Sequence, residues 1–210
     1  MDDQTVRTVI LTSGAGSNLQ AVVDTRFFGG IPNMKIVAVL TDSASCLAAE
    51  RSRLASLPVS VIEREIFASE RSFAKAIGDE LDDLDTELIV VADWKFALPQ
   101  EVIRRWSRRI LCLLPARLSA NGDAADYPGE SMMPAHRNAK GVIAYLLEAD
   151  GTIGPVLRQK EVKVSAEDSP AEILAKIAEI GRAILPEAIA MYCSGRLCFR
   201  GRQARMLPPM

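Results

Sequence analysis

Apolar positions along this chain fall into short continuous runs separated by segments with helical spacing. Residues 6–12, 35–41, 59–62, 88–92 and 110–114 read as strands, and LIVVA and ILCLL are apolar throughout. Runs of that kind are what parallel strands buried on both faces show. Between them, residues 17–25, 44–57, 69–84 and 99–106 read as helices. In the third of these, Phe73, Ile77, Leu81 and Leu84 share one helical face. Alternation of this sort predicts an α/β fold with a mainly parallel central sheet.

The later part of the chain changes character. Residues 142–147 and 156–164 read as strands that suit an antiparallel hairpin, so antiparallel strands are expected towards the C-terminal half. Ser169-Pro170-Ala171-Glu172 is a capping box with proline in the first turn. The helix it opens carries Ile173, Ile177, Ile180 and Ile184 on one face. Pro186 is expected to break or kink it, with a second helix running to about Ser194 and Gly195 as its left-handed cap. The arginine-bearing tail reads as a terminal strand followed by a loose basic end, with no function assigned. Residues 115–140 carry no defensible period. A long segment following a central strand belongs at the carboxyl edge of the sheet, where open α/β sheets place ligands.

Composition narrows the function classes. The formal net charge of −2 and a pI near 5.6 speak against a nucleic-acid-binding surface. No apolar run reaches the length of a membrane span. The opening MDDQTVR has neither a basic nor an apolar leader segment, so the expectation is a cytoplasmic protein. Cys46, Cys112, Cys193 and Cys198 fit no zinc spacing, and no metal is expected.

Candidate chemistry concentrates in Val9-Ile10-Leu11-Thr12-Ser13-Gly14-Ala15-Gly16-Ser17-Asn18. A buried strand running into a glycine-rich turn and a helix start presents backbone N–H groups to an anion. Gly14, Gly16, Ser17 and Asn18 are the phosphate-binding candidates, and a phosphorylated small molecule is the expected partner. The turn's glycines also have a purely conformational use in a tight strand-to-helix connection.

The order of the segments resembles phosphoribosylglycinamide formyltransferases, a folate-dependent family. SGAGSNLQAVVD resembles that family's phosphate loop and first helix. Residues 35–42 with Ala48-Ala49-Glu50-Arg51, residues 90–99, and the run RRWSRRIL resemble its following segments. Tyr127-Pro128-Gly129, Gly154-Pro155-Val156-Leu157 and Leu185-Pro186-Glu187-Ala188-Ile189 complete the likeness, which covers nearly the whole chain. The resemblance implies a Rossmann-like sheet with helices on both faces. It also implies one domain over residues 1–210, with a phosphate-binding half (1–110) and a catalytic, folate-side half (111–210).

The family moves a formyl group from 10-formyltetrahydrofolate to the amine of glycinamide ribonucleotide. Its working side chains are an Asn and a His on the catalytic strand and an Asp before the glycine-proline motif. At those positions this chain carries Cys112, Leu114 and Thr152. Leucine neither donates a hydrogen bond nor carries a proton. Asp150 lies two residues from Thr152, and His136 is the only histidine, so both are weighed as relocated catalytic groups. Asp93, Trp94 and Lys95 occupy the family's folate-side segment, where Trp94 is weighed as a stacking surface and as a core aromatic. The family's acid on the last long helix corresponds to Gly181, with Glu179 nearby.

Three readings follow. The first is a divergent family member that keeps the phosphate loop without the usual triad. The second is an active formyl or acyl transferase using 10-formyltetrahydrofolate, a different amine and a relocated site. The third is a non-enzymatic scaffold. A second copy of the chain is held open as a partner.

Overall fold

The computed structural model describes residues 5–116, 141–165, 167–201 and 203–208. His136 and Tyr127-Pro128-Gly129 lie outside the described residues. Nine strands form one sheet in the order β3-β2-β1-β4-β5-β6-β7-β9-β8. β1 (Val6–Thr12), β2 (Met34–Thr41), β3 (Val59–Val61), β4 (Leu88–Val91) and β5 (Ile110–Ala116) run parallel. β6 (Gly141–Leu147) pairs antiparallel with β5, and β7 (Ile153–Glu161) antiparallel with β6.

Side-chain alternation divides the core into two layers. Ile10, Val39, Val90 and Leu111 meet Leu19 and Val22 of α1 (Ser17–Phe27) and Ile177, Ile184 and Leu185 of α5 (Pro170–Cys193). Val9, Leu11, Leu40, Ile89 and Ile110 meet Phe73, Ile77 and Leu81 of α3 (Glu70–Asp83) and Val102 and Ile103 of α4 (Gln100–Arg105). Helices therefore cover both faces, which is why the parallel strands read as unbroken apolar runs.

Several expectations are corrected. α2 covers only Leu47–Leu54, because Cys46 caps it, its Sγ accepting from Ala49 N at 3.4 Å, and the chain turns at Ser56 (φ 55°) ahead of Pro58. Pro99 is the residue before α4 rather than part of its first turn. Pro186 does not divide the last helix: α5 is continuous for 24 residues, with Pro186 buried against the sheet. Packing along the apolar face outweighs the one backbone hydrogen bond that proline removes. The C-terminal basic segment is a hairpin of β8 (Leu197–Arg200) and β9 (Gln203–Met206), with β9 beside β7. No helix of the described residues is long and apolar enough to cross a membrane.

Candidate binding site at the carboxyl edge of the sheet

β1 ends at Thr12 and the chain turns through Gly14 (φ 62°) and Gly16 (φ 65°) into α1. Gly16 is required twice over. Its backbone is left-handed, and a Cβ there would come within 2.8 Å of Ala48 Cα on α2. Ala48 N donates to Gly14 O at 3.0 Å and fixes the turn against that helix. Gly16 at the N-cap brings no side chain to the first-turn N–H groups of α1, so only neighbouring segments or a ligand can meet them.

The loop after β4 closes over this turn. Ser13 N donates to Asp93 O at 3.2 Å, and Lys95 N donates to Ser13 Oγ at 3.3 Å. Asn18 Nδ2 donates to Asp93 Oδ1 at 2.8 Å. Asp93 reaches the surface, but this end of its carboxylate lies against buried Asn18. Desolvation there raises its pKa above the ordinary carboxylate range, while the side-chain and backbone N–H groups of Asn18 and the Arg182 charge oppose the rise.

Lys95 Nζ sits 2.5 Å from Asp42 Oδ2, at the end of β2, and 4.8 Å from the Phe96 ring centre. This pairing raises the Lys95 pKa, through the hydrogen bond to Asp42 first and despite some desolvation. Among the described residues, buried polar side-chain atoms without a hydrogen-bond partner are Thr12 Oγ1, Asn18 Oδ1, Asp42 Oδ1, Trp94 Nε1 and Thr86 Oγ1. The first four lie at the carboxyl ends of β1, β2 and β4 or on the helix start beside them. Unpaired buried polar atoms are uncommon in proteins, and their concentration on one edge makes that edge the candidate binding face.

Residues 6–189 match the formyl transferase family. The chain belongs to that family. It is 30% identical over 188 residues to the phosphoribosylglycinamide formyltransferase of Haemophilus influenzae, covering 90% of this chain and 87% of that protein. Identity to the Escherichia coli phosphoribosylglycinamide formyltransferase is 29% over 214 residues, covering 96% of this chain and 95% of that one. The crystal structure of glycinamide ribonucleotide transformylase 1 from Symbiobacterium toebii superposes with a TM-score of 0.84 at 27% identity, over 98% of this chain and 95% of that one. A formyltetrahydrofolate deformylase from Pseudomonas syringae shares the fold, with a TM-score of 0.82 at 13% identity, over 98% of this chain and 67% of that one.

In this member of the family, Cys112 pairs with Tyr145 on β6 and is buried. Burial pushes its thiol up to about 12, only partly offset by a hydrogen bond with Tyr145, so at neutral pH it is a protonated, inert core group. Leu114 pairs with Ile143 and packs half-buried in the α3/α4 layer. Thr152 and Asp150 lie on the turn between β6 and β7, which packs on α4: Gln100 Nε2 donates to Ala149 O at 2.7 Å. Asp150 Oδ1 accepts from Thr152 N at 2.9 Å and from Thr152 Oγ1 at 2.6 Å, closing that turn.

Trp94 is core rather than an open stacking surface. It is 3% exposed, and its ring meets Phe96 edge-on at 5.7 Å. Gly181 on α5 faces the site: a Cβ there would lie 3.3 Å from Leu113 Cδ1 and 3.8 Å from Asn18 Oδ1. The structure thus brings together Gly14, Gly16, Ser17, Asn18, Asp93 and Gly181, while Asp150 and Thr152 sit on the β6–β7 turn beside α4. A groove of about 280 Å³ between α3 and α4, bordered by Arg71, Lys75, Glu101 and Arg105, belongs to the other helical layer.

Sequence reasoning passed over Thr12, Asp42 and Arg182. An acid closing a buried strand was the available signal for Asp42. Arg182 is separated from the loop by most of the chain, and nothing local marks it.

Proposed function

We propose that this chain is a divergent phosphoribosylglycinamide formyltransferase-like protein that binds a phosphorylated small molecule at residues 14–18 and does not perform formyl transfer by the family's chemistry. The observation that carries the reading is the pair Cys112 and Leu114 on β5. Formyl transfer to an amine passes through a tetrahedral oxyanion, which needs a donor, and it needs a group to move the amine's protons. A buried thiol held protonated and an aliphatic side chain supply neither. Removing one oxyanion donor alone costs about 10²–10³ in rate.

Phosphate binding is supported by a different set of groups. Backbone N–H donors at the start of α1 do not depend on side-chain identity, and Gly14 and Gly16 keep the turn open. Binding of 10-formyltetrahydrofolate has weaker support, because Trp94 is packed on Phe96 and Lys95 is held by Asp42. We place the protein in the cytoplasm.

Thermal unfolding with glycinamide ribonucleotide, ribose 5-phosphate and a reduced folate tests the reading. Stabilisation by both phosphate compounds is expected, worth about 2.7 kcal/mol at a hundredfold excess over Kd. No shift with either phosphate compound contradicts it and leaves a scaffold role.

A further inference from the structure

We infer that Asp93 is the specificity-determining residue of the glycine loop, an internal carboxylate that occupies part of the anion cradle and discriminates against a phosphate dianion. The inference rests on the proposed phosphate reading and deepens it.

The geometry begins with Asn18, which is 7% exposed and sits in the first turn of α1. Its Nδ2 is committed to Asp93 Oδ1 at 2.8 Å, while its Oδ1 is without a partner among the described residues. The Asn18 backbone N–H, one of the donors an incoming anion would use, lies near enough to this carboxylate to favour its charged form. Asp93 holds this position with φ 68°, a backbone conformation that suits Gly, Asn and Asp and that most side chains avoid. Its main-chain carbonyl is tied to Ser13 N at 3.2 Å, so the residue is anchored to the loop it occupies.

Charge around the carboxylate is sparse. α1 contributes Asn18, which does not titrate; α5 contributes Arg182; and the first loop contributes Ser13. The nearest cation along the chain, Lys95, is paired with Asp42. A phosphate entering the same donors therefore meets a like charge, and only Arg182 opposes it. Two anions sharing one set of donors cannot both be fully ionised without cost. A phosphate binds when Asp93 is protonated or its side chain turns out to solvent.

Titration calorimetry at constant ionic strength tests this with inorganic phosphate and with sulfate, which stays a dianion across the pH range used. The variants are Asp93→Asn, which keeps an acceptor for Asn18 and the left-handed backbone, and Asp93→Gly, which the backbone also suits. At about pH 7.5 both variants should bind either anion at least about tenfold more tightly than the parent chain. For sulfate the gap should narrow as the pH is lowered towards about 4, because the parent's carboxylate then takes a proton. Equal affinity of parent and variants, or a gap that stays constant over that range, overturns the inference and leaves phosphate binding standing. Failure of all three proteins to bind either anion removes the phosphate reading and the inference with it.

Discussion

Cys112 and Gly16 show how single residues set the character of this molecule. With its thiol pushed up to about 12 by burial, Cys112 stays protonated at pH 8. Exposed Cys198 should therefore be alkylated first by iodoacetamide, and buried Cys112 and Cys193 should react only on unfolding. Mass spectrometry of a labelling time course reads the order, and early modification of Cys112 would show a reactive site. Gly16→Ala forces a left-handed alanine, at about 1–2 kcal/mol. It also drives a methyl into the Ala48 backbone, adding about 1–3 kcal/mol of overpacking. Chemical denaturation should register that loss. Asp93 has the opposite sign from a stabilising carboxylate. Its folded pKa is raised, so the folded state binds the proton more tightly than the unfolded chain and stability falls as pH rises through the window above the unfolded value. Asp93→Asn should raise the melting temperature at neutral pH, and the difference should vanish in acid below the ordinary carboxylate range. A deficit for the variant at neutral pH would contradict this.

α5 carries the clearest lesson among the elements. Ser169 Oγ accepts from Glu172 N at 3.3 Å, and Ser169 N donates to Glu172 Oε2 at 2.7 Å. Ser169→Ala should cost about 1 kcal/mol in unfolding experiments. Hydrogen bonds from Ser169 lower the Glu172 pKa, and the Lys176 hydrogen bond lowers that of Asp168. Their stabilisation is present above the unfolded carboxylate values and is lost as pH falls through the lowered ones, so this helix start should lose amide protection first in acid. The capping box was legible because its signals are local. The continuity through Pro186 was not, because contacts with β6 and β7, remote in sequence, decide it. The C-terminal hairpin escaped for a related reason: its arginines hid a strand pair whose register, Cys198 opposite Arg205, depends on docking beside β7.

At the scale of the whole molecule, the parallel half of the sheet and both helical layers were written in the apolar runs. The glycine loop was legible for the same reason, as a break between a buried strand and a helix. The Asn18–Asp93 pair spans 75 positions, and no local pattern announces it. The turn that holds Asp150 and Thr152 likewise depends on the β6–β7 pairing, Leu147 opposite Ile153, which only the folded sheet displays. Family membership accounts for the architecture, while Cys112 and Leu114 carry the proposal about chemistry. A single-turnover assay with glycinamide ribonucleotide and 10-formyltetrahydrofolate, with the protein in excess, tests that proposal most directly. The account predicts no protein-dependent formylated product, and transfer at an ordinary enzymatic rate of about 1–10³ s⁻¹ would contradict it.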